Sequence, residues 1–231
     1  FKDVFFLRLP HEQTEKAVGL YRDEIIRLKD YLEQKFEVKI TEEMVREATR
    51  VNNRANKDLK DLYSVMKHDP TPVSGYDIFK VLYGSTFRFD RAALADEVNA
   101  LREKIEREYT EGKHFEKRPR ILITGCPIGG ATEKVIRAVE DNGGVVIGYE
   151  NCSGEKAVGI QVEEDAEDIY EALSRRYLAI GCSIMTPNKN RFDSLSEMID
   201  QYHADGVLDM TLQACHTYAI ETNKVRRFVT E

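Results

Sequence analysis

Four cysteines, Cys126, Cys152, Cys182 and Cys215, carry the clearest chemical potential in this 231-residue chain. They stand 26, 30 and 33 residues apart, with no C-x-x-C pair among them. Structural zinc sites draw on cysteine pairs a few residues apart on tight knuckles, so this spacing argues against zinc. An iron–sulfur cluster is several ångströms across and gathers thiolates from separate loops, which suits the spacing better. The competing reading is four inert cysteines used as small buried apolar side chains. An even cysteine count marks a disulfide framework in small secreted proteins, but nothing here signals secretion, and reduced thiols are expected.

The elements around the cysteines weigh between these readings. Ile121-Leu122-Ile123-Thr124, Val145 to Tyr149 and Val207 to Leu212 are short apolar runs that read as strands. Helices are expected from about Ala131 to Glu140, Asp165 to Leu178, Phe192 to Tyr202 and His216 to Phe228. Strands alternating with helices imply a doubly wound, flavodoxin-like parallel sheet, with ligands beyond the carboxyl ends of its strands. Cys126, Cys152 and Cys215 each follow one of the three strands, and Cys182 lies in the long connection between the second and third. Three strand ends out of three carrying a thiol favours a shared site over inert packing. Cys126 and Cys215 also precede expected helix N-termini, whose partial positive charge favours thiolate.

Other groups fall near the same edge. His216, beside Cys215, is a candidate proton donor or acid, and Glu150, Lys156 and Tyr218 are its neighbours in this reading. For each of them, helix capping or a hydrogen bond is the plainer role. His11, His68, His114 and His203 show no ligand spacing. The loop Gly125-Cys126-Pro127-Ile128-Gly129-Gly130-Ala131-Thr132 has the glycine spacing of a phosphate loop. Ala131 stands where the phosphate-binding lysine belongs, so ATP binding by this chain is not expected.

Residues 1–117 are expected to be mainly helical scaffold and 118–231 the α/β domain. Apolar stripes at helical spacing run Ala17 to Phe36, Met44 to Met66 (after Thr41 as cap) and Leu94 to Tyr109 (after Asp90). Ser74 with Asp77 caps a shorter helix after the Asp69-Pro70-Thr71-Pro72 stop. Val4 to Leu7 reads as a further strand. The first part is nearly neutral, and the second holds most of the net charge of −7. That acidity argues against a dedicated nucleic-acid binder. No apolar run reaches the roughly 18 residues of a membrane span, and a cytoplasmic protein is expected.

At Gly125-Cys126-Pro127, Glu150-Asn151-Cys152-Ser153-Gly154, Met185-Thr186-Pro187-Asn188 and Gln213-Ala214-Cys215-His216-Thr217-Tyr218, the chain resembles the 2-hydroxyacyl-CoA dehydratases, the D-component group of 2-hydroxyglutaryl-CoA dehydratase. The resemblance runs over nearly the whole length and implies an iron–sulfur cluster between two α/β domains. It also implies a dimer that receives low-potential electrons from an ATP-hydrolysing activator with a cluster of its own. In the dehydratases, a ketyl radical on an acyl-CoA substrate permits loss of a hydroxyl, and the cluster ligand from this domain corresponds to Cys215. The extra Cys126, Cys152 and Cys182 match the double-cubane subgroup, with an [8Fe-9S] cluster on six cysteines rather than [4Fe-4S]. The resemblance thus implies an anaerobic ATP-dependent reductase first and a dehydratase subunit second; the reading that stands apart from it is a non-catalytic flavodoxin-like module with incidental cysteines. The resemblance further implies a piece of a longer enzyme. A first α/β domain with two more cysteines would precede Phe1, and a further strand and helix would follow Glu231.

Overall fold

The computed structural model describes residues 4–231. The helices open as their apolar spacing and caps dictate. Helix α1 spans Glu15–Phe36 behind Thr14, α2 spans Glu42–Tyr63 behind Thr41, α3 spans Gly75–Ser85 behind Ser74, and α4 spans Arg91–Thr110 behind Asp90. Each cap oxygen accepts a backbone N–H of the first turn, satisfying a donor the helix cannot.

The second part is β1 (Arg120–Gly125), α5 (Thr132–Asp141), β2 (Val145–Glu150), the short α6 (Glu155–Val158), α7 (Ile169–Leu178), α8 (Lys189–Gln201), β3 (Gly206–Met210) and α9 (His216–Thr230). The strands are parallel in the order β2-β1-β3. The chain steps outward from β1 to β2, then crosses back over β1 to β3. With right-handed crossovers this places the connecting helices on opposite faces, as in a doubly wound sheet. The expected α/β class and helical N-terminal region are therefore what the chain adopts.

Val4 to Leu7 is not a strand. The segment 4–10 has no strand pairing among the described residues and lies along α1. Phe5 packs against Tyr31, ring centroids 5.0 Å apart and tilted by 40°, with the Arg27 guanidinium 4.2 Å over its ring, and Arg8 pairs with Glu24. A four-residue apolar run is ambiguous, and here a helix surface covers part of it.

The core joins the two compositional halves. Leu59, Leu62, Tyr63 and Met66 from α2 and its 3-10 extension, Phe79 from α3 and Val98 from α4 pack in one cluster with Leu122, Ile123, Val146 and Tyr149 of the sheet. Each such side chain contributes roughly 1.5–3 kcal/mol on burial, so helices and sheet stabilise one another. A smaller cluster of Ala17, Val18 and Tyr21 with Leu178 and Met185 docks α1 beside α7. That docking leaves Leu20 and Phe36 of the α1 stripe exposed.

Arg120, buried at the start of β1, donates to the carbonyls of Tyr202, His68 and Met66 at 2.9, 2.9 and 2.6 Å. It closes the amino edge of the sheet, opposite the cysteines.

Candidate functional site

The register of the sheet brings Thr124 of β1 level with Glu150 of β2 and Asp209 of β3. These three polar side chains close the carboxyl ends of otherwise apolar strands. A carboxylate there must be paired or it destabilises the fold. The partner is Arg191 of α8, whose side chain is 1% exposed. Its guanidinium donates to Thr124 Oγ1 at 3.1 Å and Glu221 Oε2 at 2.5 Å, and approaches Glu150 Oε2 at 3.5 Å and Asp209 Oδ1 at 3.7 Å. Thr124 in turn donates to Glu150. Lys156 of α6, also buried, meets the other Glu150 oxygen at 3.1 Å. Burial disfavours the charge on Arg191, but Glu150 and Glu221 outweigh it and hold the guanidinium protonated.

Tyr218 roofs this network. Its ring lies 5.1 Å from the Arg191 guanidinium and 5.5 Å from the Lys156 ammonium. Burial raises the pKa of its phenol, and Cys152 and Cys182 lie close enough to add to the effect.

The thiols sit around this charged floor, and all four are free. Cys126 follows Gly125, whose φ is +102°. A Cβ at Gly125 would lie 2.2 Å from the Met210 carbonyl oxygen, so only glycine lets β1 turn there. The Cys126 N–H then donates to that same Met210 carbonyl, tying the β1 end to β3. Gly181 plays a comparable part for Cys182, since a Cβ there would stand 2.6 Å from Arg191 Cα. Cys215 caps α9, and Cys152 opens the turn after β2.

Cys126 and Cys215 interact directly through their side chains. Burial, then Cys215, raises the Cys126 pKa. The Tyr218 backbone N–H at the head of α9 and the Thr217 hydroxyl lower that of Cys215. Cys152 lies within electrostatic reach of Lys156, Cys182 and Glu150. Cys126 thus lies near both Cys215 and Cys152, and Cys152 near Cys182, so the four thiols form one neighbouring group.

Among the described residues, no three His, Cys, Asp or Glu side chains converge tightly enough to hold a single metal ion. The donor set suits a broad thiolate-bound cluster, with two buried cations and a helix N-terminus beneath it, and does not suit a lone zinc ion. An open groove of about 590 Å³ lies alongside, lined in part by Ser183, Met185, Pro187, Thr217 and Ile220.

His216 begins α9 beside Cys215 but is exposed, and its ring makes no hydrogen bond to any described residue. Glu150, Lys156 and Tyr218 are in the site, as their places at the strand ends suggested. Arg191, Thr124, Asp209 and Glu221 escaped the sequence reading. One signal was present: Asp209 is a charge inside an apolar run and Glu150 directly follows one, and each calls for a buried partner in the fold.

The site is thus an α/β sheet whose carboxyl edge carries four free thiols over a buried ion network. The chain belongs to the 2-hydroxyglutaryl-CoA dehydratase, D-component family, which matches residues 1–231. It is 46% identical over 230 residues to the putative dehydratase subunit YjiM of Escherichia coli (strain K12), covering 99% of this chain and 60% of that protein. It is 25% identical over 231 residues to a subunit of benzoyl-CoA reductase from Thauera aromatica, covering 92% of this chain and 52% of that protein. The chain thus spans between half and two thirds of the length of these relatives. No helix among the described residues is long and apolar enough to cross a membrane.

Proposed function

We propose that this chain is the thiol-bearing part of an iron–sulfur subunit of an ATP-dependent anaerobic reductase of the double-cubane type. The observation that carries the reading is the gathering of four free thiols at the carboxyl edge of the sheet. Cys126, Cys152, Cys182 and Cys215 would hold the cluster, and when bound the cluster supplies one-electron transfer at low potential. The chain's own residues do the rest. The head of α9 stabilises the Cys215 thiolate, and Lys156 and Arg191 place positive charge near sulfur-borne negative charge. The groove beside Cys182 and Cys215 takes a small-molecule or acyl-CoA substrate. His216, exposed at the head of α9 beside Cys215, would serve as proton donor. Electrons arrive from a separate activator ATPase, and the subunit works in the cytoplasm as a homodimer.

A dehydratase subunit acting on 2-hydroxyacyl-CoA is the second reading, supported by the name of the relative that is 46% identical. It needs one cluster of the [4Fe-4S] kind. Anaerobic reconstitution of the full-length protein separates the two. The reductase reading expects about eight irons per subunit, and the dehydratase reading about four. Cys126→Ser, Cys152→Ser and Cys182→Ser each lower the iron content in the first case and leave it largely intact in the second. No iron in the wild-type protein overturns both.

A further inference from the structure

Among the described residues, the buried guanidinium of Arg191 is the one group that touches every element from which a strand-end thiol departs. It hydrogen-bonds Thr124 on β1, Glu150 on β2 and Glu221 on α9 at 3.1, 3.5 and 2.5 Å, and forms a longer ion pair with Asp209 on β3 at 3.7 Å. Cys126 follows Thr124 by two residues, Cys152 follows Glu150 by two, and Cys215 lies between Asp209 and Glu221. The fourth thiol is coupled as well, because Gly181, next to Cys182, packs directly on the Arg191 backbone. We infer that Arg191 is the positioning residue of the thiol edge, a buried hub whose fixed fork of donors sets the spacing of the cysteines.

The chemistry suits the task. A guanidinium is planar and presents five donors in a rigid fork, so groups bound to it are held at set angles as well as set distances. A lysine offers one mobile ammonium on a flexible stem and cannot span four partners. A buried charge group of this kind adds little net stability, because desolvation offsets the attraction, so its role lies in the geometry it imposes. Arg120 provides an internal comparison. It too is buried and donates to three carbonyls, but at the opposite edge of the sheet. A residue that only stabilises the fold would behave like Arg120.

The inference rests on the thiol edge being the working site, and its test does not require a cluster. The full-length protein, cluster-free and reduced, is treated with dibromobimane, which bridges only neighbouring thiols, and the products are mapped by peptide mass spectrometry. Wild type is expected to bridge Cys126 to Cys215 as the main product. Arg191→Met is expected to lower that yield about tenfold, because proximity-driven reactions fall steeply with ångström-scale misplacement, and to spread product onto other pairs. Thr124→Val, nearly isosteric, shifts the pattern in the same direction, and Thr124→Ser restores it. Arg120→Met lowers stability without changing the pattern. Wild-type bridging in folded Arg191→Met, or a loss no larger than in Arg120→Met, overturns the inference. Should Arg191→Met fail to fold, an unchanged pattern in Thr124→Val does so. Absence of the Cys126–Cys215 bridge in wild type overturns it as well. Normal bridging with no iron on reconstitution sinks the cluster reading and leaves the role of Arg191 standing.

Discussion

Glu24 shows how a single side chain makes this molecule respond to acid. It is buried on α1, accepts from Arg8 Nε at 2.8 Å and from the Arg8 backbone N–H at 3.1 Å, and meets Arg27 at 2.5 Å. Arg27 first and Arg8 second draw its pKa from 4.5 down to about 2. Its folded pKa lies below its unfolded one, so its stabilisation is fully present above pH 4.5 and is lost as pH falls through about 2. Glu24→Gln is therefore expected to flatten the acid limb of a stability–pH curve between these values, read by urea denaturation at successive pH. A slope identical to wild type would contradict this. At the same scale, the site's cysteines were legible because their residue type is rare and their sequence neighbours mark strand ends. Arg191 was not, because an arginine on an amphipathic helix looks like one more solvated charge until its burial is known.

The elements followed from local rules wherever those rules involve neighbours in sequence. Thr41, Ser74 and Asp90 cap the helices they were expected to cap, since a cap needs only the next three residues. Helix α7 begins at Ile169, four residues later than expected, because Asp168 takes the N–H groups of Tyr170 and Glu171 at 2.9 and 3.0 Å. The stretch before it is held otherwise, with Arg46 donating to the carbonyls of Glu164, Ala166 and Glu167. Asp168 also binds Arg22 at 2.5 Å. Asp168→Ala should cost about 1–2 kcal/mol, and the loss should appear as a lower urea midpoint with unchanged slope. The short α6, which positions Lys156, carries too few residues for any periodicity to betray it.

At the scale of the whole molecule, the helical layer and the sheet share one core, although charge and composition change near residue 117. Leu62 of α2 is fully buried in the same cluster as Leu122 and Tyr149. Leu62→Ala is expected to destabilise by about 2–5 kcal/mol. Hydrogen exchange should then quicken in β1 and β2 as well as in α2, since one cooperative unit opens together. Exchange confined to α2 would show the two parts to be independent. Arg120 acts at the same scale by fastening β1 to the end of α8 and to the 3-10 segment that follows α2. Arg120→Met would leave three carbonyls without a donor, at about 1–3 kcal/mol each, and should lower Tm while sparing the thiol edge.

Most helix positions, the caps, the three paired strands and the placement of thiols at their ends followed from the sequence itself, because each depends on residues within one or two turns of one another. Parallel pairing follows from the alternation of strands and helices, and with it the gathering of Cys126, Cys152 and Cys215 at one edge. The tertiary structure alone decided how the thiols neighbour one another and what lies beneath them. Arg191 reaches Thr124 across 67 residues and Glu150 across 41, and contacts at such separation leave no local pattern. The need for a buried partner could be read from Glu150, but its identity depended on how α8 packs against the sheet.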